Sequence, residues 1–166
     1  MMMTSELLGR LVDEQAAALT LFARQWCTAP EDVVQEAFMK LAAQRFPPND
    51  PVAWLYHVVR NGALTALRTD RRRRRHESDA AARRPVWFTP SENAELDGSA
   101  AAAALETLPI EEREIVVAHL WGGLTFEQIG RVSGVSSSSA HRRYLKALST
   151  LRERLRVPCP NPSIPD

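Results

Sequence analysis

The run from Thr125 to Leu148 reads TFEQIGRVSGVSSSSAHRRYLKAL, and few backbones can accommodate it. Thr125 with Gln128 three residues later has the form of a capping box, which starts a helix by satisfying its first free amides. Gly134 stands where that helix must end in a left-handed residue, a conformation glycine reaches without a Cβ penalty. Ser136 then has the character of an N-cap for a second helix. In that helix Ala140, Tyr144, Ala147, Leu148, Leu151 and Leu155 recur on one face. Gly130 is small where the two helices must cross, and Val135 can plug the corner between them. Helix, glycine turn and capped second helix make a helix-turn-helix pattern. Such a pattern lays the front of its second helix in a DNA major groove. The four consecutive serines then have a use. Ser136 caps, while Ser137, Ser138 and Ser139 are short enough for the helix end to approach a duplex closely. Their hydroxyls and the free amides can meet phosphates or base edges. His141, Arg142 and Lys146 lie on the outward side, where Arg can read guanine and Lys can neutralise phosphate. The competing reading is a flexible Ser-rich joint, but a joint has no need of a cap, a turn glycine and an apolar stripe in register. Arg143 has two readings, a phosphate contact or a pair with Glu127.

Charge along the chain supports a polyanionic partner. The formal net charge is only +1, yet the basic residues are segregated. Arg60 to Arg84 and Arg131 to Arg156 together hold 16 of the 21 Lys and Arg. The stretch from Val86 to Ile115, between them, is acidic. Two cationic blocks on either side of an acidic connector suggest two surfaces that meet nucleic acid. Against an enzyme, the four His (His57, His76, His119, His141) are scattered. No His/Cys/acid cluster has metal-ligand spacing, and no phosphate loop or nucleophile motif occurs. Cys27 and Cys159 lie far apart and read as reduced bystanders of a cytoplasmic protein. No apolar run reaches membrane-spanning length, and the N-terminus lacks a signal pattern. We therefore expect no cofactor, no metal and no membrane partner.

The rest of the chain reads as helical. Leu7 to Trp26 shows a helical apolar pattern through Leu7, Leu8, Leu11, Leu19, Leu21, Phe22 and Trp26. Thr28-Ala-Pro-Glu31 has the form of a second capping box with Pro in the first turn. The helix it would start runs to about Gln44, with Val34, Ala37, Phe38 and Leu41 as its buried stripe. Asp32, Gln35 and Glu36 fall on the opposite face, open either to solvent or to a basic partner. Phe46 to Asp50 is a loop, and Asp50-Pro51 starts a helix that runs to about Arg75. That helix is expected to bury Trp54, Leu55, Val58, Val59 and Leu67. It ends in the arginine run 71–75, either a frayed solvated end or a phosphate track, with Arg chemistry favouring the latter. A linker covers 77–99 and contains Trp87-Phe88, for which the pattern offers no role. A short helix Ala100–Glu106 and another over Pro109–Trp121, with Ile115, Val116 and Leu120 apolar, precede the quoted run. The expected fold class is all-α: two small helical domains, 1–76 and 100–157, a flexible linker, and a Pro-rich tail over 158–166.

These segments resemble bacterial RNA polymerase sigma factors of the extracytoplasmic-function type. The helix-turn-helix run, with Leu105-Glu-Thr-Leu-Pro-Ile-Glu-Glu-Arg-Glu upstream of it, is similar to region 4 of that family. Glu31-Asp-Val-Val-Gln-Glu-Ala-Phe38 and Ala53-Trp-Leu-Tyr-His-Val-Val-Arg-Asn61 are similar to region 2. The match has three departures: Ala140 where a larger aliphatic residue is usual, His57 for a common Arg, and Gly62 for a larger residue.

The resemblance implies a subunit that directs polymerase to promoters and initiates transcription, with no catalysis of its own. It implies that Asp32, Gln35 and Glu36 meet the β′ clamp helices of core polymerase, and that the second domain lies near the β flap. By the same resemblance, Asn61 and the loop Phe46–Asp50 hold a flipped base of the melted minus-ten element, bound by stacking and edge hydrogen bonds. Arg60, Arg68, Arg71 and Arg72 would follow the phosphates, and the recognition helix would read the minus-thirty-five element. An anti-sigma factor is a further implied partner. The alternative is a helix-turn-helix regulator that binds duplex DNA without polymerase. It would need a sensor or dimerisation domain, for which the motif-rich first half leaves little room.

Overall fold

A computed structural model describes residues 4–76 and 98–155. The linker up to residue 97 with Trp87 and Phe88, and the tail with Cys159, lie outside the described residues. Seven helices and no strand form the described part: α1 Ser5–Ala23, α2 Pro30–Ala42, α3 Pro51–His76, α4 Gly98–Glu106, α5 Ile110–Leu120, α6 Phe126–Ser133 and α7 Ser137–Leu155. Helix α4 thus begins two residues ahead of the expected Ala100.

Local chemistry explains most helix starts. Thr4 Oγ1 accepts from the Leu7 amide at 3.2 Å and caps α1. Asp50 Oδ1 accepts from the Ala53 amide at 3.0 Å and caps α3. The expected box at Thr28 does not form. The cap position of α2 is Ala29, with Pro30 at the first helical position, so Thr28 stands one residue too early. Glu31 instead accepts from Arg24 at 3.3 Å, tying the end of α1 to the start of α2.

Helices α1–α3 pack around Leu19, Phe22, Leu41, Leu55, Tyr56 and Val59, all essentially inaccessible. Phe22 contacts both Trp26 and Tyr56 edge-on, with ring centroids 5.0 Å apart in each pair. Tyr56, absent from the expected core, is its largest fully buried side chain, whereas Trp54 is only half-buried. The reason is rotational: the buried arc of α3 runs through Ala53, Leu55, Tyr56, Val59 and Ala63, which leaves Trp54 at its margin. Gly62 sits where α2 comes close, since a Cβ there would lie 2.9 Å from Val33 Cγ1. Past Leu67 the core ends but the helix continues, so 71–76 project as an exposed helical turn and a half.

The second half closes around α5. Ile115, Val116, Val117 and Ala118 are consecutive and all buried, so this helix is enclosed on nearly every side. Leu120, apolar like Ile115 and Val116, is half-exposed at its end, as is Trp121. The halves share one continuous apolar core. Helix α5 packs on α1, and α6 packs on α3.

Candidate nucleic-acid interface

The helix-turn-helix forms as its spacing predicts. Thr125 Oγ1 accepts from the Gln128 amide at 3.2 Å, and Gln128 Oε1 accepts from the Thr125 amide at 2.8 Å. Gly134 is left-handed at φ 71°. The Val135 amide donates back to Gly130 O at 3.0 Å. A Cβ at Gly130 would lie 2.6 Å from the Val135 carbonyl oxygen, so the corner admits only glycine there. Ser136 Oγ accepts from the Ser139 amide at 3.1 Å and caps α7. Ala140 is fully buried, and its small side chain lets α7 sit close to its neighbours.

The cap leaves the front of α7 clear. Ser137, Ser138, His141 and Arg142 are exposed, and Ser139 is half-exposed. Arg142 Nη2 donates to Ser139 Oγ at 3.3 Å, which holds the guanidinium over the helix start. An aromatic cluster braces the corner. His119 stacks on Phe126 at 4.5 Å, and its Nδ1 lies 2.8 Å from the Leu124 carbonyl oxygen. Phe126 in turn meets the rings of His141 and Tyr144 at 4.8 and 5.3 Å. His119, read from the sequence as one of four scattered histidines, is thus a structural strut.

Lys146 is exposed, but its Nζ donates to Glu112 Oε1 at 2.6 Å. Glu112 is itself buried, so a carboxylate already anchors this cation. Arg143 forms no ion pair with Glu127 among the described residues; it lines an open cleft of about 470 Å³ with Glu111, Glu112, Arg142 and Lys146.

On the first half, Arg68, Arg71 and Arg72 are exposed along α3. Asn61 is exposed and lies 3.0 Å from His57 Nε2, so His57 fixes the orientation of the Asn61 amide. Phe46 is 60 % exposed in the loop before α3, with Arg45 over its ring at 5.6 Å. Asp32, Gln35 and Glu36 are all exposed on one side of α2, joined by exposed Met39, with Glu36 paired to Lys40 at 2.7 Å.

Arg60 departs from the expected phosphate track. It turns inward, with Nε donating to Glu114 Oε2 at 2.9 Å and the guanidinium 5.9 Å from the Trp26 ring centre. Glu112 and Glu114, both buried, were not singled out by sequence reasoning. The consecutive apolar run beside them was the available signal: in a helix enclosed on all sides, acids must find cationic partners. Among the described residues there is no group of His, Cys, Asp and Glu able to hold a metal ion, and no helix long and apolar enough to cross a membrane.

Comparison with known proteins agrees with this layout. Residues 11–73 match the family Sigma-70 region 2, and residues 99–151 match Sigma-70, region 4. The chain is 28% identical over 159 residues to the probable RNA polymerase sigma factor RfaY of Xanthomonas campestris pv. campestris, covering 89% of this chain but only 40% of that protein. It is 30% identical over 154 residues to the ECF RNA polymerase sigma factor SigL of Mycobacterium tuberculosis, covering 88% of this chain and 87% of the relative. Its fold is similar to that of the sigma factor RpoE from Bartonella quintana, solved in complex with the anti-sigma factor NepR, with a TM-score of 0.72 at 25% identity over 93% of this chain and 99% of that one. With both sigma regions matched in order and a relative aligned across most of its length, the chain belongs to the extracytoplasmic-function family of bacterial RNA polymerase sigma factors.

Proposed function

We propose that this chain is a dissociable initiation subunit that directs core RNA polymerase to specific promoters from the cytoplasm. Sigma factors are regulatory subunits, and the chain contributes binding and strand opening rather than bond chemistry. The exposed, capped front of α7 carries the reading. Ser137, Ser138 and Ser139 let the helix end approach the minus-thirty-five groove, while His141 and Arg142 reach base edges and phosphates, joined by Lys146 where it leaves Glu112. The first half supplies the other contacts. Asn61, oriented by His57, and the loop with exposed Phe46 bind an extruded minus-ten base by stacking and edge hydrogen bonds. Arg68, Arg71 and Arg72 neutralise the adjoining phosphates, and Arg60 joins them only by leaving Glu114.

The exposed triad Asp32, Gln35 and Glu36 offers core polymerase an acidic face for its β′ clamp helices, and the second half docks near the β flap. An anti-sigma factor is a natural regulator, as the RpoE complex illustrates for that relative. Run-off transcription with purified core enzyme and promoter fragments tests the assignment. Wild-type chain should direct specific initiation, and Gln35→Ala with Glu36→Ala should weaken core binding with helicity retained. Absence of initiation at any promoter in the host genome would remove the proposal.

A further inference from the structure

We propose that Ser139 is a positioning residue for base discrimination: its hydroxyl oxygen anchors the Arg142 guanidinium in the pose that reads the groove, and it acts through Arg142. The inference rests on the assignment of α7 as the groove-reading helix and divides the labour among its serines.

The four serines are alike in sequence but not in structure. Ser136 Oγ accepts from the Ser139 amide at 3.1 Å, and its O–H donates to Ser139 Oγ at 2.9 Å. Arg142 Nη2 donates to the same Ser139 Oγ at 3.3 Å. Ser136, Ser139 and Arg142 follow one another at three-residue steps, so each is the surface neighbour of the next. A hydroxyl oxygen has two lone pairs to offer. Ser136 takes one on Ser139 and Arg142 takes the other. Ser137 and Ser138, by contrast, are exposed and make no side-chain hydrogen bond among the described residues. Their hydroxyls are free for the duplex, while the Ser139 oxygen is committed to Arg142.

The anchor has work to do because an acid stands nearby. Arg142 is exposed and lines the same open cleft as Glu111 and Glu112. Glu112 already accepts from Lys146 at 2.6 Å. Glu111 is exposed and forms no ion pair among the described residues. A guanidinium released from Ser139 would therefore turn into the cleft, towards Glu111 and away from the helix start. The serine oxygen holds it on the groove side, and a neutral acceptor does so without cancelling its charge.

The anchored cluster also has a defined chemical sense. Arg142 carries donors only, and Ser139 has no lone pair left for a base amine. Together they present donors to the groove. That suits the N7 and O6 acceptors of guanine and mismatches the amines of adenine and cytosine. Without the anchor, the Arg142 side chain samples about three staggered wells at a torsion now held in one. The reading pose then falls to roughly one molecule in three, and the preference for the right base falls about threefold, since the wrong base never used that pose.

The test uses the full chain bound to core enzyme, with a fully randomised duplex library long enough to span both promoter elements, sequenced before and after binding. The unaltered chain should enrich a motif, and Arg142→Ala should erase the preference at one guanine-bearing base pair of it. Ser139→Ala should lower the preference at that same pair about threefold and leave the other pairs unchanged, with helical circular dichroism retained. Its backbone amide still donates to Ser136, so the cap of α7 survives. Ser139→Thr keeps the oxygen and should keep the preference, and Ser137→Ala and Ser138→Ala should leave that pair as it was. Full preference in Ser139→Ala, a uniform loss across all pairs, equal loss in Ser139→Ala and Ser139→Thr, or a loss confined to a pair without guanine overturns the anchor. An enriched motif with no effect of Ser139 leaves the promoter assignment standing and removes the anchor alone. A library from which the unaltered chain enriches nothing removes the promoter assignment, and this inference with it.

Discussion

Replacing Tyr56 by phenylalanine should raise the stability of this protein, although Tyr56 is the largest fully buried side chain in it. The ring packs on Phe22 at a centroid distance of 5.0 Å, and phenylalanine keeps that contact. Only the hydroxyl is lost, and among the described residues it has no hydrogen-bond partner. A buried, unsatisfied hydroxyl costs about 1–3 kcal/mol. Deleting it leaves a small void against Gly122 and forfeits a few dispersion contacts worth ~0.1–0.2 kcal/mol each. The net expectation is a gain of about 1–2 kcal/mol. With an unfolding entropy of about 2.1 cal/mol/K per residue over the roughly 130 described residues, Tm should rise by about 4–7 °C.

A pH series sharpens the test, because burial pushes the Tyr56 phenol above its ordinary range. A phenol that must stay neutral in the fold contributes stability that is complete below the ordinary value of about 10. That contribution is lost as pH rises from there towards the folded value. The wild type should therefore lose stability above pH ~10 more steeply than Tyr56→Phe. Differential scanning calorimetry from pH 7 to 11 measures both effects. A Tm at or below that of the wild type, or an identical alkaline decline, would refute the account of the hydroxyl.

Gly134→Ala should cost about 1–2 kcal/mol, because the left-handed backbone at φ 71° acquires a Cβ; thermal melts and minus-thirty-five fragment binding should decline together. Cys27 is buried, donates weakly to the Ala23 carbonyl oxygen at 3.4 Å, and burial pushes its thiol up to about 11. In a Cys159→Ser background it should resist Ellman's reagent at pH 8, where roughly one thiol in a thousand is ionised, and react at once in guanidinium; rapid native reaction would place it at the surface. For the exposed arginine end of α3, promoter affinity should fall with log salt at a slope of about −5 if some six phosphates are neutralised. Gel-shift titrations across salt measure that slope, and a slope near zero would make the run a solvated end.

The helix-turn-helix was legible in full because its determinants are local. Thr125, Gln128, Gly134 and Ser136 act within a few residues of themselves through caps and a left-handed turn, so spacing alone specifies them. The exposed faces at Asp32–Glu36 and at 71–75 were legible for a similar reason: a helix with a clear apolar stripe sets its own outer side. Thr28 shows the limit of local reading, since a one-residue shift in the start of α2, with Pro30 at its first position, empties a well-formed capping pattern.

Other features depended on how the helices assemble. Leu120 and the enclosed run Ile115–Ala118 have similar hydrophobicity, and only packing against α1 and α7 decides which is covered. Trp54 and Tyr56 are both aromatic and two residues apart; the rotation of α3 against Phe22 buries one and leaves the other at a cleft. Arg60, Asp50 and Lys146 carry charges whose partners stand 54, 78 and 34 residues away. The sequence by itself thus determined the helices, the caps and left-handed turn of the helix-turn-helix, and the family. The tertiary structure alone decided which of these charges are tied to a distant helix, because an ion pair depends on distance in space, and helical periodicity carries no information about which distant helix will lie alongside.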